Sequence, residues 1–485
     1  MLMGFATHRL SKGGGVTTIQ PQSDPNTFCG GCLNHSPQPL MSLHTIRKGF
    51  NIPLHGGLES TEIRDAPSVQ QVAALPQEAH GIKVKMLVQE GDAVKVGTPL
   101  FCDKRDPNVL FTSPGAGTVS AVNRGFRRMA LSVVVDLDGD AHENWGTLTW
   151  DHPETIANNL QRSGLWTLLR QRPFDKVAES TAHPSSLFVT ATDTHPLAPP
   201  PLAVLAGRED KFKSGLEVLS RLAPKTFLCT GKGEDWANLI TDGVEHHQFS
   251  GAHPAGNAGV HINALDPVGQ NKLAWNIGYQ EVTEIGHLVQ TGQLPMTRVI
   301  AAVGPAMNQP ALIRVRRGTS TTKLIQAHNI TEKVRVLSGS ALSGDLANPD
   351  SPTGFLGSRA NQMCVLSDAP EKEFIGWANP IGTRHTFTHT ALGKFFRKEH
   401  KYDTDLNGSH RAIVPLGSWE EVMPMDIMPT QLIKALAAGD LEMCEKLGVL
   451  EVTEEDLALC EYLDQSKTAI TSLLRAMLTQ IEKEG

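Results

Sequence analysis

The stretch Val88-Gln-Glu-Gly-Asp-Ala-Val-Lys-Val-Gly-Thr-Pro-Leu100, followed by Phe111-Thr-Ser-Pro-Gly-Ala-Gly-Thr-Val119, decides how the first third of the chain is read. Its apolar residues come in short runs, and each run stops at a reversal: Gly91-Asp92, Gly97-Thr98, then Ser113-Pro114 with Gly115 and Gly117. Such dipeptides accept the backbone angles of tight turns, so the intervening segments read as short strands. Working outward, the same punctuation runs back to His44 and on to Leu137. The whole chain carries 44 Gly and 30 Pro in 485 residues, which excludes a helical bundle for most of it.

Beyond Asp151 the period changes. Ile156, Leu160, Leu165 and Leu169 recur at helical spacing and predict a helix over 156–170. Strands are expected at 187–190, 201–206 and 226–229, with a helix at 211–222 and a long helix over 273–292. Strands alternating with helices imply a small parallel sheet. From Met296 the pattern returns to β, with strands at 297–303 and 311–316 around Gly304-Pro305. After Leu337 loops give way to helices. Thr453-Glu-Glu-Asp456 has the form of a helix N-cap, and Ile470, Leu473, Leu474, Met477 and Ile481 mark an amphipathic last helix over 466–483.

Several function classes are excluded by these residues. Net charge is −7 without clustered Lys or Arg, so no nucleic-acid surface is expected. No apolar run is long enough to span a membrane, and no signal-peptide core follows Met1. Seven scattered cysteines read as reduced thiols. Cys29-Gly-Gly-Cys32 has no second Cys pair to complete a zinc site. Thr230-Gly-Lys-Gly233 lacks the first glycine of a phosphate loop and a hydroxyl after Lys232. His246, His247, His253 and His261 crowd together, but Pro254, Gly256 and Gly259 break any helix that would align them on a metal. The loop from Gly251 to His261 instead points to close backbone approach to a ligand or neighbour.

The first strand-rich segment resembles the barrel-sandwich hybrid of lipoyl and biotinyl carriers, with Asp103-Lys104 near the place of their modified lysine. Asp103-Lys104-Arg105-Asp106-Pro107-Asn108 is longer and more charged than the carrier hairpin, so Lys104 is expected to be an unmodified turn lysine. Taken together, the chain resembles the A-subunit family of the Na⁺-translocating NADH:quinone reductases. The resemblance is carried by Arg47-Lys-Gly-Phe-Asn-Ile-Pro-Leu54, by Asp103-Lys104 through Phe111-Thr-Ser-Pro114, and by Ser163-Gly-Leu-Trp-Thr-Leu-Leu-Arg-Gln-Arg-Pro-Phe174. It continues in His253-Pro-Ala-Gly256 through His261-Ile262, Phe374-Ile-Gly-Trp377 and Val422-Met-Pro-Met-Asp-Ile-Met-Pro429. It covers about 44–447, and residues 1–40 depart from it.

With this resemblance the expected architecture is α/β multidomain, α+β overall. It comprises a disordered extension (1–40), a barrel-sandwich hybrid domain (41–140) and a Rossmann-like α/β domain without a nucleotide motif (151–295). A β-grasp-like soluble-ligand-binding module (296–336) and a C-terminal domain with a helical tail (337–485) follow. The family's own relatives are the flavin- and NADH-binding subunit of respiratory complex I and the C subunit of the Rnf complex. They carry a glycine-rich flavin-phosphate loop where this chain has Leu-Trp-Thr-Leu-Leu-Arg-Gln-Arg over 165–172, too bulky for a phosphate cradle. They also carry four cluster-binding cysteines. Aligned on Pro424, those positions hold Ile413, Leu416, Trp419 and Met423, none of which supplies a thiolate.

The resemblance therefore implies a peripheral subunit with no cofactor of its own, at the cytoplasmic face of the bacterial inner membrane. It would contribute to reduction of ubiquinone to ubiquinol, coupled to Na⁺ export by its partners. Those partners are the B to F subunits, chiefly the membrane-embedded B subunit, and they would hold FAD, FMN, riboflavin and the iron–sulfur centre. A quinone slot needs apolar walls and a donor at the ring carbonyls; Trp166, Phe174, Lys176, His80 and Ile82 supply those types. Two alternatives stand beside this reading: a subunit that only docks, and a carrier protein modified at Lys104.

Overall fold

The computed structural model describes residues 42–368 and 399–484. The extension with Cys29 and Cys32, and the motif from Phe374 to Trp377, lie outside them. The turn-rich segment forms two facing sheets. One runs in the order Gln71–Ala74, Ala130–Leu137, Gly117–Arg124, Ala93–Val94, and the other Val84–Met86, Pro99–Asp103, Leu110–Thr112. Val72, Leu100, Phe101, Val119, Val133 and Val135 fill the space between them, and Phe101 stacks on Phe111 at 4.6 Å. Alternate residues of these strands point inward, and each fully buried side chain of this size contributes about 1.5–3 kcal/mol. Lys104 is exposed at the turn after Pro99–Asp103. The Asp103 carboxylate fixes that turn by accepting from the Lys83 and Arg105 amides at 3.2 and 3.0 Å.

The α/β domain is built on a seven-stranded sheet in the order Ser42–Thr45, Val244–Ser250, Thr226–Gly231, Ser186–Ala191, Ala274–Gly278, Arg170–Arg172, Lys176–Val177. The first five are mutually parallel, Arg170–Arg172 runs antiparallel to its neighbour Ala274–Gly278, and Lys176–Val177 runs antiparallel to Arg170–Arg172. Helices Glu209–Leu219 and Tyr279–Thr291 pack backbone to backbone. A Cβ at Gly286 would fall on the Lys211 carbonyl, and one at Gly215 on that of Val282.

A further six-stranded sheet runs Asp345–Leu346, Val334–Ser338, Gln362–Ser367, Thr297–Val303, Ala311–Arg316, Ile63–Asp65. Two early strands thus serve later sheets: Ser42–Thr45 pairs with Val244–Ser250, and Ile63–Asp65 with Ala311–Arg316. The C-terminal helices Ser418–Val422, Pro429–Ala438, Leu441–Lys446, Glu454–Leu463 and Ile470–Glu484 enclose their own core around Trp419, Leu432, Leu457 and Leu474.

Three elements differ from the sequence reading. The helix begun at Pro153 ends at Ser163, where Gly164 takes φ 81°, and the apolar residues after it continue as a 3₁₀ turn and the strand Arg170–Arg172. Residues 201–205 are a helix and not a strand, because Pro201 sits at the first helical position, where its missing N–H costs nothing. The long helix expected over 273–292 is the strand Ala274–Gly278 followed by helix Tyr279–Thr291. A strand buried on both faces shows no alternation, so its run merges with the helix after it.

Candidate functional site

The α/β sheet reverses its winding between Ser186–Ala191 and Ala274–Gly278. From the former the chain moves outward through Thr226–Gly231 and Val244–Ser250, then returns to lay Ala274–Gly278 on its other side. Loops leaving the C-terminal ends of these two strands diverge, and such a switch point opens a crevice. Here it is a cavity of about 1000 Å³. Asp193 and His195 line it after the first strand, and Asn276 and Tyr279 at the end of the second. Glu78 and His80 come from the barrel-sandwich domain, segments 338–345 and 357–362 from the six-stranded sheet, and Glu454, Glu455 and Arg475 from the C-terminal helices.

Charge is dense at this junction. His195 Nδ1 lies 2.8 Å from Asp193 and its Nε2 3.3 Å from Glu455. Burial is the largest single influence on His195 and disfavours its cation, yet the two carboxylates outweigh it and push the pKa up to about 10. Its neighbour His253, with ring centroids 4.8 Å away, is pulled down to about 3 by burial and then by the His195 cation. Arg172 and Asp456 form a buried pair at 3.2 Å, with Asp175 3.6 Å from the same guanidinium. Asp456 also accepts from the Thr453 amide and hydroxyl, both at 3.0 Å, so one carboxylate caps helix Glu454–Leu463 and anchors it to the α/β sheet. Arg475 pairs with Glu454 and donates to the Phe174 carbonyl at 2.8 Å.

Three of the five residues read as quinone contacts meet at one place. His80 bonds Thr479 at 3.2 Å, Lys176 pairs with Glu482 at 2.7 Å, and the Phe174 carbonyl receives Arg475. Arg475, Thr479 and Glu482 share one face of helix Ile470–Glu484, at i, i+4 and i+7. Lys176 also lies 5.9 Å over the Phe174 ring and 2.8 Å from Glu179. Trp166 lies elsewhere. It is 1% exposed, edge-on to Trp275 at 5.2 Å, and donates from its indole to the Ala178 carbonyl at 2.7 Å. Phe174 packs toward the helical core, whereas Trp166 sits in the α/β core. Ile82 packs partly buried between the barrel-sandwich core and the α/β core.

The residues present do not fit the relatives' prosthetic groups. Leu165, Leu168 and Leu169 are buried core where a flavin loop would run. Trp419 and Met423 are buried in the helical core where cluster cysteines would stand. Cys444 and Cys460 lie in that core, with thiols pushed up to about 11 and about 12 by burial. Among the described residues no group of three or more His, Cys, Asp or Glu side chains is placed to hold a metal ion.

Sequence reasoning missed Asp193, His195, Glu455 and the buried arginines. Thr-Asp-Thr-His195 directly after a strand was an available signal, whereas Glu454-Glu-Asp456 read only as a cap.

Over 446 residues the chain is 43% identical to the A subunit of the Na(+)-translocating NADH-quinone reductase of Mannheimia succiniciproducens, spanning 91% of this chain and 100% of that protein. The chain belongs to this family. The corresponding proteins of Actinobacillus succinogenes (43% over 447 residues, 91% and 100%) and Yersinia pseudotuberculosis (42% over 447 residues, 91% and 99%) are similarly close. Three domains of the family match in order: the NqrA N-terminal barrel-sandwich hybrid domain at 44–138, the NqrA second alpha/beta domain at 152–294 and the NQRA C-terminal domain at 299–348. An NAD⁺-reducing [NiFe]-hydrogenase structure is 13% identical, covers 67% of this chain and 63% of its own, and gives a TM-score of 0.36, too distant to carry an argument. Like the rest of its fold, the helices among the described residues of this family member include none long and apolar enough to cross a membrane.

Proposed function

We propose that this chain is the peripheral A subunit of a sodium-translocating NADH:quinone reductase, working at the cytoplasmic face of the inner membrane. Its partners are the B to F subunits of the complex, chiefly the membrane-embedded B subunit, and they hold the flavins and the iron–sulfur centre. The carrying observation is identity of 42–43% along essentially the full length of A subunits from several bacteria. In this reading the chain contributes to ubiquinone reduction, and quinone meets it along the seam of His80, Phe174 and Lys176. Trp166 acts from behind, because its indole holds the Ala178 carbonyl at the end of the strand that carries Lys176. Ile82 supports the same seam from the core. A docking role without quinone contact is the second reading, favoured by Lys176, whose ammonium is already paired with Glu179 and Glu482.

The test is deletion of this chain in its host, followed by Na⁺-stimulated NADH:ubiquinone reductase activity in membranes and restoration by the wild-type chain. Loss and restoration are expected, and unchanged activity in the deletion overturns the proposal. Phe174→Ala removes a ring whose contact contributes about 0.5–1.5 kcal/mol. Apparent quinone affinity is then expected to fall several-fold, at about 1.4 kcal/mol per tenfold. Unchanged affinity in a normally assembled Phe174→Ala complex moves the assignment to docking alone.

A further inference from the structure

One wall after another of the switch-point cavity carries polar atoms that nothing among the described residues answers. They are Nε and Nη1 of Arg170, Oγ1 of Thr190, Oδ1 of Asn276, the hydroxyl of Tyr279 and Oε1 of Gln362. Arg170 is 5% exposed and Tyr279 1%. A buried group left unsatisfied costs about 1–3 kcal/mol, and a charged one more, so a cluster of them around one cavity marks a place shaped for a polar occupant.

Arg170 is the most demanding member. Its guanidinium gives one nitrogen, Nη2, to the Glu78 carbonyl, and its cation is disfavoured by burial and then by the nearby Arg359. Arg359 approaches from segment 357–362 and makes no hydrogen bond or ion pair among the described residues. Three carboxylates lie near: Asp175, Glu78 and Asp345. Burial works against the Asp175 anion, but Arg172 and then Arg170 and Arg359 outweigh it and hold that carboxyl below its ordinary range. Glu78 is already engaged by the Ser358 amide and hydroxyl at 2.8 and 2.7 Å, and burial pushes both Glu78 and Asp345 toward their neutral forms. Arg475, by contrast, is satisfied by Glu454. Asp175 is shared with Arg172 at 3.6 Å, so two guanidinium groups of like charge, one buried and neither ion-paired among the described residues, leave a place for a further anion between them.

The rest of the lining narrows its chemistry. Ser-Gly-Ser340 and Ser-Gly344 present small residues beside the arginines, which lets backbone approach a compact anion closely. Asn276, which pairs with Arg170 across adjacent strands, and Tyr279 and Gln362 add neutral donors and acceptors. About 1000 Å³ is at the upper end for small-molecule sites and far exceeds a lone inorganic anion. Guanidinium groups match phosphate oxygens in pairs. We propose that this cavity binds a phosphorylated small molecule of nucleotide size, its phosphate held between Arg170 and Arg359 and its neutral polar part against Asn276, Tyr279 and Gln362. This goes beyond the chain's part in quinone reduction and does not depend on it.

Calorimetric titration of the full chain at low salt tests it, with adenosine and guanosine monophosphates, pyrophosphate, adenosine and citrate as probes. Saturable one-site binding of at least one of the three phosphate compounds is expected, with adenosine at least tenfold weaker than its monophosphate. Arg359→Gln, at a side chain with no described ion pair to lose, should weaken that binding at least tenfold without changing the melting temperature. Tyr279→Phe keeps the core shape and should weaken the nucleotides but not pyrophosphate. Citrate binding as tightly as the phosphates and equally dependent on Arg359 overturns the phosphate assignment. No saturable binding by any phosphate probe, or binding indifferent to Arg359→Gln, overturns the site.

Discussion

Replacing His195 by glutamine should remove a pH-dependent clamp between the α/β domain and the C-terminal helices. His195 keeps its proton in the folded protein up to about pH 10 and releases it near 6.5 when unfolded. Its contribution to stability is therefore complete below about pH 6.5 and lost as pH rises from there to about 10. At about 1.4 kcal/mol per pH unit the full span would be worth roughly 5 kcal/mol, and loss of one member of a buried pair typically costs about 3–5 kcal/mol. The two figures agree in order of magnitude. His253 works in the opposite sense. Folded, it resists protonation until about pH 3, so it stabilises above about pH 6.5 and that stability fades as pH falls. The assay is urea unfolding of wild type and His195→Gln at pH 6, 7.5 and 9. The variant should be less stable by a few kcal/mol at pH 6, with the difference shrinking toward pH 9. The acid side of its profile should also flatten, because the cation that suppresses His253 is gone. A stability difference that stays constant from pH 6 to 9 would refute the protonated clamp.

Arg172→Ala should destabilise the chain by about 3–5 kcal/mol by stranding the buried Asp456 carboxylate, read as lost protection of helix Glu454–Leu463 in hydrogen exchange. Gly259→Ala should mimic it, since the added Cβ would strike that same carboxylate. Gly286→Ala should prevent the close packing of helices Glu209–Leu219 and Tyr279–Thr291 and lower soluble yield more than any change on the exposed Lys104 turn. The intact mass of the chain from its host should match an unmodified Lys104, and a lipoyl or biotinyl adduct would restore the carrier reading.

The architecture was legible where local chemistry and burial agree. The glycine and proline punctuation of 88–119 reflects turns that would form in any context, and they are the turns between the barrel-sandwich strands. Thr453 with Asp456 announced a capped helix by the same local logic. Misreadings cluster where burial erases periodicity. Ala-Trp-Asn-Ile-Gly278 is a central strand covered on both faces, so its apolar run carries no alternation to separate it from the helix that follows. Pro201 was read through its apolar neighbours when its own missing N–H marked a helix start. The pairing of Ser42–Thr45 and Ile63–Asp65 with strands far along the chain is set by tertiary contact and leaves no local trace.

The candidate site was less legible for a different reason. Large apolar side chains stand out by type, and that favoured Trp166, whose ring is packed in the α/β core. The charged groups of the cavity are drawn singly from separate segments, with Glu78, Arg170, Asp193, Arg359 and Glu455 each unremarkable in its own stretch. Their partners lie across the chain: His195 answers Glu455, Arg172 answers Asp456, Lys176 answers Glu482. Each of these pairs ties the α/β domain to the C-terminal helices, so the cavity walls are held by the same charges that close the junction. A helical domain docked mainly through apolar surface would tolerate loss of one contact. One docked through the fully buried Arg172–Asp456 pair does not, because breaking it leaves a charge without water to receive it, while His195–Glu455 and Lys176–Glu482 are partly exposed and add less. The geometry of the cavity and the attachment of the helical domain should therefore fail together, and variants at Arg172 or His195 should lose ligand binding along with stability while Arg359→Gln loses binding alone.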